Sequence, residues 1–272
     1  MKILRIVTVV LFIAVFCVFS SFFLEAQRNA DDTIPQIQIE GDILEVSIYD
    51  GKEVLLQGVT AYDEKDGDIT AKVLVESVSQ FTDEWVCTVT YAVADNNQHV
   101  AKNTRQIRYI DYVPPKFTLN RSMVFSVGEA LDVRKVVGAT DEIDGDIGDK
   151  VIVTNADFKA NTVGTFSLSL QAANSKGDMV YLELPVYVES YNYRKPTIVL
   201  KEYLMYVKVG ETPDFDANVD TVTSNYAALD KETFSVSEDY DANTPGVYSI
   251  HYYANDTAGY QGHAVLMVVV EE

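Results

Sequence analysis

Histidine, cysteine and proline are scarce in this chain of 272 residues, which has three, two and seven of them. The histidines, His99, His251 and His263, have no neighbour at a metal-ligand spacing such as H-E-x-x-H. No G-x-S-x-G elbow supplies a nucleophile either. A hydrolytic pair built from Asp66 and Asp68 would need carboxyls held across a sugar cleft. Short loops leave little room for one, so the expectation is a protein that is not an enzyme. Few prolines beside 47% hydrophobic residues, 17 Tyr and 12 Phe exclude a disordered chain and provide for packed cores. Cys17 lies in a long apolar run, which leaves Cys87 without a partner for an intrachain disulfide. Cys87 is expected to be a buried apolar residue.

Basic residues are few as well: 21 against 41 acidic ones. The run Ile6 to Leu24 carries no charge and follows Lys2 and Arg5, so everything after Leu24 has a formal charge of −22, from 19 basic and 41 acidic residues. A surface that acidic repels phosphate backbones, which argues against a nucleic-acid partner. The apolar run suits a bilayer crossing with a cytoplasmic N-terminus. A signal peptide cleaved after Ala26 is the alternative, although the run exceeds the usual h-region of about 7 to 15 residues. Both readings place the remainder outside the cell, the first as a single-pass protein of the cell membrane with an extracytoplasmic C-terminus, the second as a secreted one. The C-terminal stretch "HAVLMVVVEE" shows no wall-sorting motif, so attachment is expected through the N-terminal helix.

Internal similarity organises the rest. "YDEKDGDI" from Tyr62 returns as "TDEIDGDI" from Thr140, 78 residues on. "SVGEALD" (126 to 132) returns as "KVGETPD" (208 to 214), and "NTVGTFSLSL" (161 to 170) as "NTPGVYSIHY" (243 to 252), both after 82 residues. The segments are a leader (1–24), a linker (25–34) and three repeats spanning 35–112, 113–190 and 191–272. Apolar residues alternate over short runs, as in Phe166, Leu168 and Leu170, and turn residues recur about every ten positions, which predicts strands of half-buried antiparallel sheets. In the second repeat the strands are expected at 117–119, 124–127, 133–137, 151–154, 165–172, 179–184 and 185–188, with one bent strand the alternative for the last two. The fold class is all-β: three tandem Ig-like sandwiches after an N-terminal transmembrane helix.

These motifs also resemble a bacterial immunoglobulin-like surface repeat family, whose tandem domains carry a DGDI turn and which includes a domain of a pesticidal crystal protein. Repeat 1 matches through Asp63, Asp66, Gly67, Asp68, Ile69, Thr70, Tyr91, Val93 and Asp95, with Trp85 in the usual glycine place. Repeat 2 matches through Asp144, Gly145, Asp146, Ile147, Gly164, Phe166 and Gly177, with Asn174 for the final Asp. Repeat 3 keeps Gly246, Tyr248, Tyr252, Asp256 and Gly259 but reads "SNYAALD" (224 to 230) in place of the acidic turn. The resemblance implies a fold and an extracellular setting and no ligand.

In such a sandwich the acidic turn and the turn holding Asp95 or Asn174 return to one pole and should meet. Two readings of the acidic turn stand side by side. Asp-Gly pairs serve turn geometry, because glycine accepts positive φ and aspartate bonds its own backbone. Calcium takes oxygen-rich sets of this kind, and Asp63, Asp66, Asp68 and Asp95 in repeat 1, with Asp111, Asp141, Asp144 and Asp146 in repeat 2, are the candidate ligands. Calcium there would stiffen the first joint and leave the joint before repeat 3 looser; the short linkers suggest a semi-rigid rod. His251 is expected to point into solvent, with His99 and His263 exposed near turns. Repeat 3 is rich in tyrosine, from Tyr193 to Tyr260; alternation buries Tyr248 and Tyr252 and exposes Tyr253. Such a chain suits an envelope stalk, scaffold or adhesion module, or a Tyr-rich terminal repeat that binds a glycan or a host protein.

Overall fold

The computed structural model of the chain describes residues 2–29, 33–229, 235–238 and 240–272, in two compact units, 1–110 and 111–272. Unit 1 opens with helix α1 (Lys2–Asn29), whose stretch Ile6–Leu24 has a mean hydropathy of 2.8 and none of its length buried. By length and composition it is able to cross a membrane, and a retained anchor and a secretory leader both fit that description. Strands β1 (Gln36–Ile39), β2 (Ile43–Val46), β3 (Val59–Asp63), β4 (Gly67–Asp68), β5 (Leu74–Asp83), β6 (Val86–Ala94) and β7 (Val100–Tyr109) follow. They form two sheets, β1-β3-β4 and β2-β7-β6-β5, with β2 parallel to β7 and the other pairs antiparallel. Between them pack Val46, Val59, Cys87, Val89, Tyr91, Val93 and Ile107, all buried.

Unit 2 holds two more sandwiches of this kind. The second has sheets β8-β10-β11 and β9-β14-β13-β12, from β8 (Lys116–Leu119), β9 (Val124–Ser126), β10 (Val137–Asp141), β11 (Gly145–Asp146), β12 (Ile152–Ala156), β13 (Gly164–Ala173) and β14 (Met179–Glu189). The third has β15-β17 and β16-β20-β19-β18, from β15 (Thr197–Leu200), β16 (Leu204–Lys208), β17 (Val219–Thr223), β18 (Ser235–Glu238), β19 (Gly246–Asn255) and β20 (Gln261–Glu271). Beyond α1 the described chain is all-β apart from single helical turns, and its form is that of Ig-like sandwiches.

One expected strand start changes, one open alternative is decided, and Trp85 takes a defined conformation. Residues 133–136 form a helical turn, α2 (Val133–Val136), and the strand starts at Val137. Val136 and Val137 are both buried, and successive residues of one strand face opposite ways, so both reach the core only if the chain turns between them. Residues 179–189 are a single strand despite Pro185. Tyr187 donates its amide to Met123 (2.9 Å), so the nitrogen of Pro185, two residues earlier, faces the same edge beyond the end of β9 and interrupts no ladder bond. Trp85, in the glycine place, takes a positive φ of 58° and sets its ring edge-to-face on Phe81 at 5.8 Å.

The largest departure concerns the joint before the third sandwich. Far from loose, it is a shared core. Strand β20 is buried on both faces: Ala264, Leu266, Val268 and Val270 enter the core of the third sandwich, while Val265 and Met267 enter that of the second beside Phe117, Met123 and Leu184. Ser122 Oγ accepts the amide of Val265 (2.8 Å), Tyr206 Oη accepts that of Phe117 (2.9 Å), and Tyr187 Oη donates to Ser249 Oγ (3.0 Å). Burying an apolar side chain of this size is worth about 1.5–3 kcal/mol, so the outward residues of β20 alone hold the two sandwiches with several kcal/mol.

Candidate functional site at the acidic corners

Each acidic corner starts where a core strand ends. Asp63, the last residue of β3, is buried; its Oδ1 accepts the amides of Lys65 (2.9 Å) and Asp66 (2.9 Å), and its Oδ2 accepts Thr33 Oγ (3.1 Å). These bonds, the Asp66 amide foremost, hold its carboxyl below the usual carboxylate range despite burial. Gly67 then turns the chain with φ +74°, a conformation that side chains strain to adopt. Asp68 accepts the amide of Thr70 (2.9 Å), and bonds from Thr70 lower its pKa too.

The expected meeting with the opposite turn takes place. Asp66 accepts the Asn96 amide (2.6 Å) and side-chain nitrogen (2.8 Å) across the pole. Beside it, Asp95 accepts the His99 amide (2.8 Å), and its Oδ2 lies 2.7 Å from His99 Nδ1. Burial pushes the Asp95 carboxyl up, but the His99 bonds outweigh it and hold it low. His99 is therefore engaged at the corner, with 35% of its side chain exposed.

The second corner repeats the plan with other partners. Asp141 Oδ1 accepts the amides of Ile143 (2.9 Å) and Asp144 (2.8 Å), and Oδ2 accepts Asn174 Nδ2 (3.0 Å). Asp144 crosses the pole to the Ser175 amide (2.7 Å) and hydroxyl (2.6 Å), and Lys150 Nζ sits 2.7 Å from its Oδ2. Burial raises the Asp144 carboxyl, and Lys150 with Ser175 more than offsets that. Asp146 caps the next turn through the Gly148 amide (2.9 Å). Asp111 is exposed at the entry to the unit, and its neighbour Tyr112 is the one that reaches inward. The Tyr112 hydroxyl donates to Asp178 (2.7 Å) and accepts from Asn174 Nδ2 (2.7 Å), and burial followed by the Asp178 bond pushes its pKa up. Tyr112 and Asp178 were missed by sequence reasoning, since neither lies in the repeated motif.

The third corner is closed by other chemistry. By strand register Ser224 stands where Asp63 and Asp141 stand, and its Oγ lies 3.4 Å from the amides of Tyr226 and Ala227. Instead of a carboxylate latch, the Arg194 guanidinium lies over the rings of Tyr226 (4.7 Å), Tyr193 (5.2 Å) and Tyr260 (5.7 Å) and donates to Tyr260 Oη (2.7 Å). Asp256, the counterpart of Asp95 and Asn174, accepts the amides of Ala258 (3.0 Å) and Tyr260 (2.9 Å) through Oδ1, while its buried Oδ2 has no hydrogen-bond partner among the described residues. Asp230, at the end of "SNYAALD", lies outside the described residues.

Three expectations about side chains are corrected at the junction of the second and third sandwiches. His251 does not point into solvent: its Nδ1 lies 2.9 Å from His263 Nε2, and the ring of Tyr187 packs against it at 5.0 Å. His263 is 7% exposed and bonds Glu189 at 2.7 Å, and Tyr253 stacks on it at 4.7 Å instead of standing free. The reason is that the outer face of β19 and β20 is covered by the second sandwich. Cys87 and Tyr252 are buried as expected, and Tyr248 is half-buried.

Seven of the eight candidate carboxylates sit at the two corners, where the bonds above bring them N–H and O–H donors, and Asp111 lies exposed at the entry to unit 2. Among the described residues no group of three or more His, Cys, Asp or Glu is placed to hold a metal ion.

No family model matches the chain. An uncharacterized 81.3 kDa protein of Acholeplasma phage L2 is 23% identical over 173 residues, 60% of this chain and 22% of that protein. The chain therefore spans about a fifth of that relative's length. Among solved structures, Drosophila N-cadherin EC1-3 aligns at 12% identity with a TM-score of 0.30, over 85% of this chain and 98% of that one. The CBM51-2 and INT domains of Clostridium perfringens ZmpB, in complex with GlcNAc, align at 20% identity with a TM-score of 0.23, over 54% and 26%. Likenesses of this size carry no argument about function.

Proposed function

We propose that this chain is a non-enzymatic, extracytoplasmic protein of the cell envelope, attached through α1, whose Ig-like sandwiches act as a stalk, scaffold or adhesion module. The resemblance to bacterial Ig-like surface repeats belongs to the same reading. One observation carries it: an uncharged helical stretch, none of it buried in protein, stands ahead of strongly acidic all-β units. Apolar surface of that extent needs either a bilayer or removal. The corners support a structural role, because their carboxylates close turns by hydrogen bonds. Protease added to intact cells producing the full chain with a C-terminal tag provides the test. Loss of the tag from whole cells, with the chain in the membrane fraction, is the expected result; a tag protected until lysis would overturn the reading.

A second reading has its own observation. Tyr191 and Tyr193 are each 70% exposed, and Tyr226 is 52% exposed, at the pole where the third sandwich begins. Exposed tyrosines offer large contact area at low entropy cost, so a glycan or protein ligand would be met there. Binding of the full chain to glycan and protein arrays, lost on Y191S/Y193S, is the expected result, and retention in that variant would refute it.

A further inference from the structure

Strand β14 is paired along only part of its outer edge. β9 lies beside Tyr187, Val188 and Glu189, and no other strand joins β14 on that side among the described residues. Tyr187 turns its amide to that edge, toward the carbonyl of Met123. Backbone groups alternate in direction along a strand, so Tyr181 and Glu183 turn their N–H and C=O groups the same way. An open edge of this kind is a template for another strand.

Beside that open length lies a cleft of about 370 Å3, lined by Leu182 of β14, by Val113, Pro115 and Phe117 at the start of the second sandwich, and by Tyr206 of the third. The other two sandwiches close the equivalent place with groups of their own. The repeat aligns Leu182 with Asn103 of β7, whose side chain donates to the carbonyl of Ile37 on β1 (2.9 Å). It aligns Val180 with Gly262 of β20, where any Cβ would strike the carbonyl of Pro196 at the head of β15. The second sandwich has neither device. Leu182 has no donor to reach β8, and Val180 carries the side chain that the third sandwich omits.

Charge selects the occupant. Glu271 and Glu272 line the cleft, and Glu183 stands exposed on the open edge. Lys116 is the cation among the lining residues; Glu271 already holds it (3.0 Å), and it lies over the ring of Tyr206 (4.7 Å). The balance is negative, in a chain whose formal net charge is −20. A basic segment is drawn to such a place and an acidic one is repelled.

We propose that this cleft takes an extended cationic peptide, which adds a strand to the open edge of β14 and sets one apolar side chain between Phe117 and Tyr206. Backbone bonds to Tyr181 and Glu183 hold the guest in register, and pockets for alternate side chains choose it. A peptide in which apolar and basic residues alternate turns one row to the cleft and the other to the carboxylates. The site shares no residue with the exposed tyrosines Tyr191, Tyr193 and Tyr226.

The test titrates the full chain in uncharged detergent micelles, with empty micelles as the blank, against two labelled peptides: Lys-Val-Lys-Phe-Lys-Val-Lys and its counterpart with Glu at every Lys. The lysine peptide should bind with a Kd below about 1 mM and at least about tenfold tighter than the glutamate one. At saturation the amides of Tyr181 and Glu183 should exchange more slowly. Methylating the Phe nitrogen or that of the Lys after it separates strand addition from side-chain docking. One of the two should weaken binding by about three- to tenfold or more and the other should spare it, because only alternate nitrogens face β14. Y181P removes one donor from an edge that already carries Pro185, and should weaken binding by a similar factor. No binding up to about 1 mM, equal binding of the two peptides, an equal effect of the two methylations, or full affinity in Y181P would each overturn the proposal. A dimer of the full chain that Y181P abolishes, found in place of peptide binding, would assign the edge to a second copy and overturn it too. Should Y181P fail to fold, the methylated peptides decide by themselves.

Discussion

Truncating Met267 measures how far the second and third sandwiches are one body. Met267 is fully buried, is carried by the third sandwich, and packs among Phe117, Met123, Leu184 and Val186 of the second. Met→Ala at such a site costs about 2–5 kcal/mol, the lost transfer energy plus the cavity. At about 1.4 kcal/mol per factor of ten, that raises the constant for global opening about 30-fold to several thousand-fold. Native-state hydrogen exchange on the full chain in micelles reads that constant peptide by peptide. If β20 belongs to both cores, protection falls together in β13, β14, β19 and β20 after M267A and stays level in unit 1. V247A, on the same hairpin at a residue 38% exposed, supplies the baseline and should change little, about 0.5 kcal/mol or less. A loss confined to β19 and β20, with β13 and β14 protected as before, would refute the shared core. So would an effect no larger than that of V247A.

The remaining predictions concern the corners and the junction. D144A removes a carboxylate with bonds to Ser175 and Lys150, and thermal melting should show unit 2 weakened by about 1–3 kcal/mol; D66A, whose partner is the exposed Asn96, should cost unit 1 less. D256N should be neutral or stabilising, because Oδ1 keeps both amide bonds and the buried Oδ2 has no hydrogen-bond partner among the described residues, whereas D95N breaks the ion pair with His99 and should lower the melting temperature. Millimolar calcium should leave both melting transitions unchanged, since an ion has to displace the donors already on Asp63, Asp141 and Asp144; a saturable rise, absent in D141N, would favour the calcium reading over the turn reading. Glu189 has a folded pKa near 2 against 4.5 ordinarily, so its contribution is present above pH 4.5 and is lost as pH falls towards 2, tempered by its half-exposed position. E189Q should therefore flatten the acid limb of the melting curve between those values.

The corners were legible in sequence because each is local: an Asp, two amides and a glycine within five residues, written twice. What crosses the sheets was less so. Nothing in "RYIDYVPP" marks Tyr112 as the residue that reaches Asp178 and Asn174, because the contact depends on how the strand enters the sandwich. The paired histidines were misjudged by a sound rule applied to an incomplete surface. Alternation does put His251 and His263 on the face opposite Leu266 and Tyr252, but that face meets another sandwich instead of water. A signal for this was present. From Ala264 to Val270 the chain reads "AVLMVVV", with no polar residue in seven. A strand wetted on one side alternates, and an unbroken apolar run marks one buried on both. The equivalent strand β7, "VAKNTRQIRY", alternates and carries charge.

The third corner bears on what the corners are for. Its pole is closed without the carboxylates of the other two: Ser224 makes the turn, and Arg194 among Tyr193, Tyr226 and Tyr260 bridges to the opposite loop. Asn96 with Asp66, Ser175 with Asp144, and Tyr260 with Tyr226, whose rings meet edge to face at 5.4 Å, are three different pairs of groups spanning the same gap. A ligand site constrains the identity of its atoms, whereas a closure constrains only the distance to be spanned. Exchange of one chemistry for another at a fixed place therefore argues for closure of the sandwich. Arg194 is the sharpest probe of that view. R194K keeps the charge but loses the flat fork that lies on the rings and bonds Tyr260, so it should weaken the third sandwich by about 1–2 kcal/mol. If R194K instead left stability intact and removed binding to a glycan or protein on the arrays, the tyrosine cluster would be a recognition surface and closure would be its by-product.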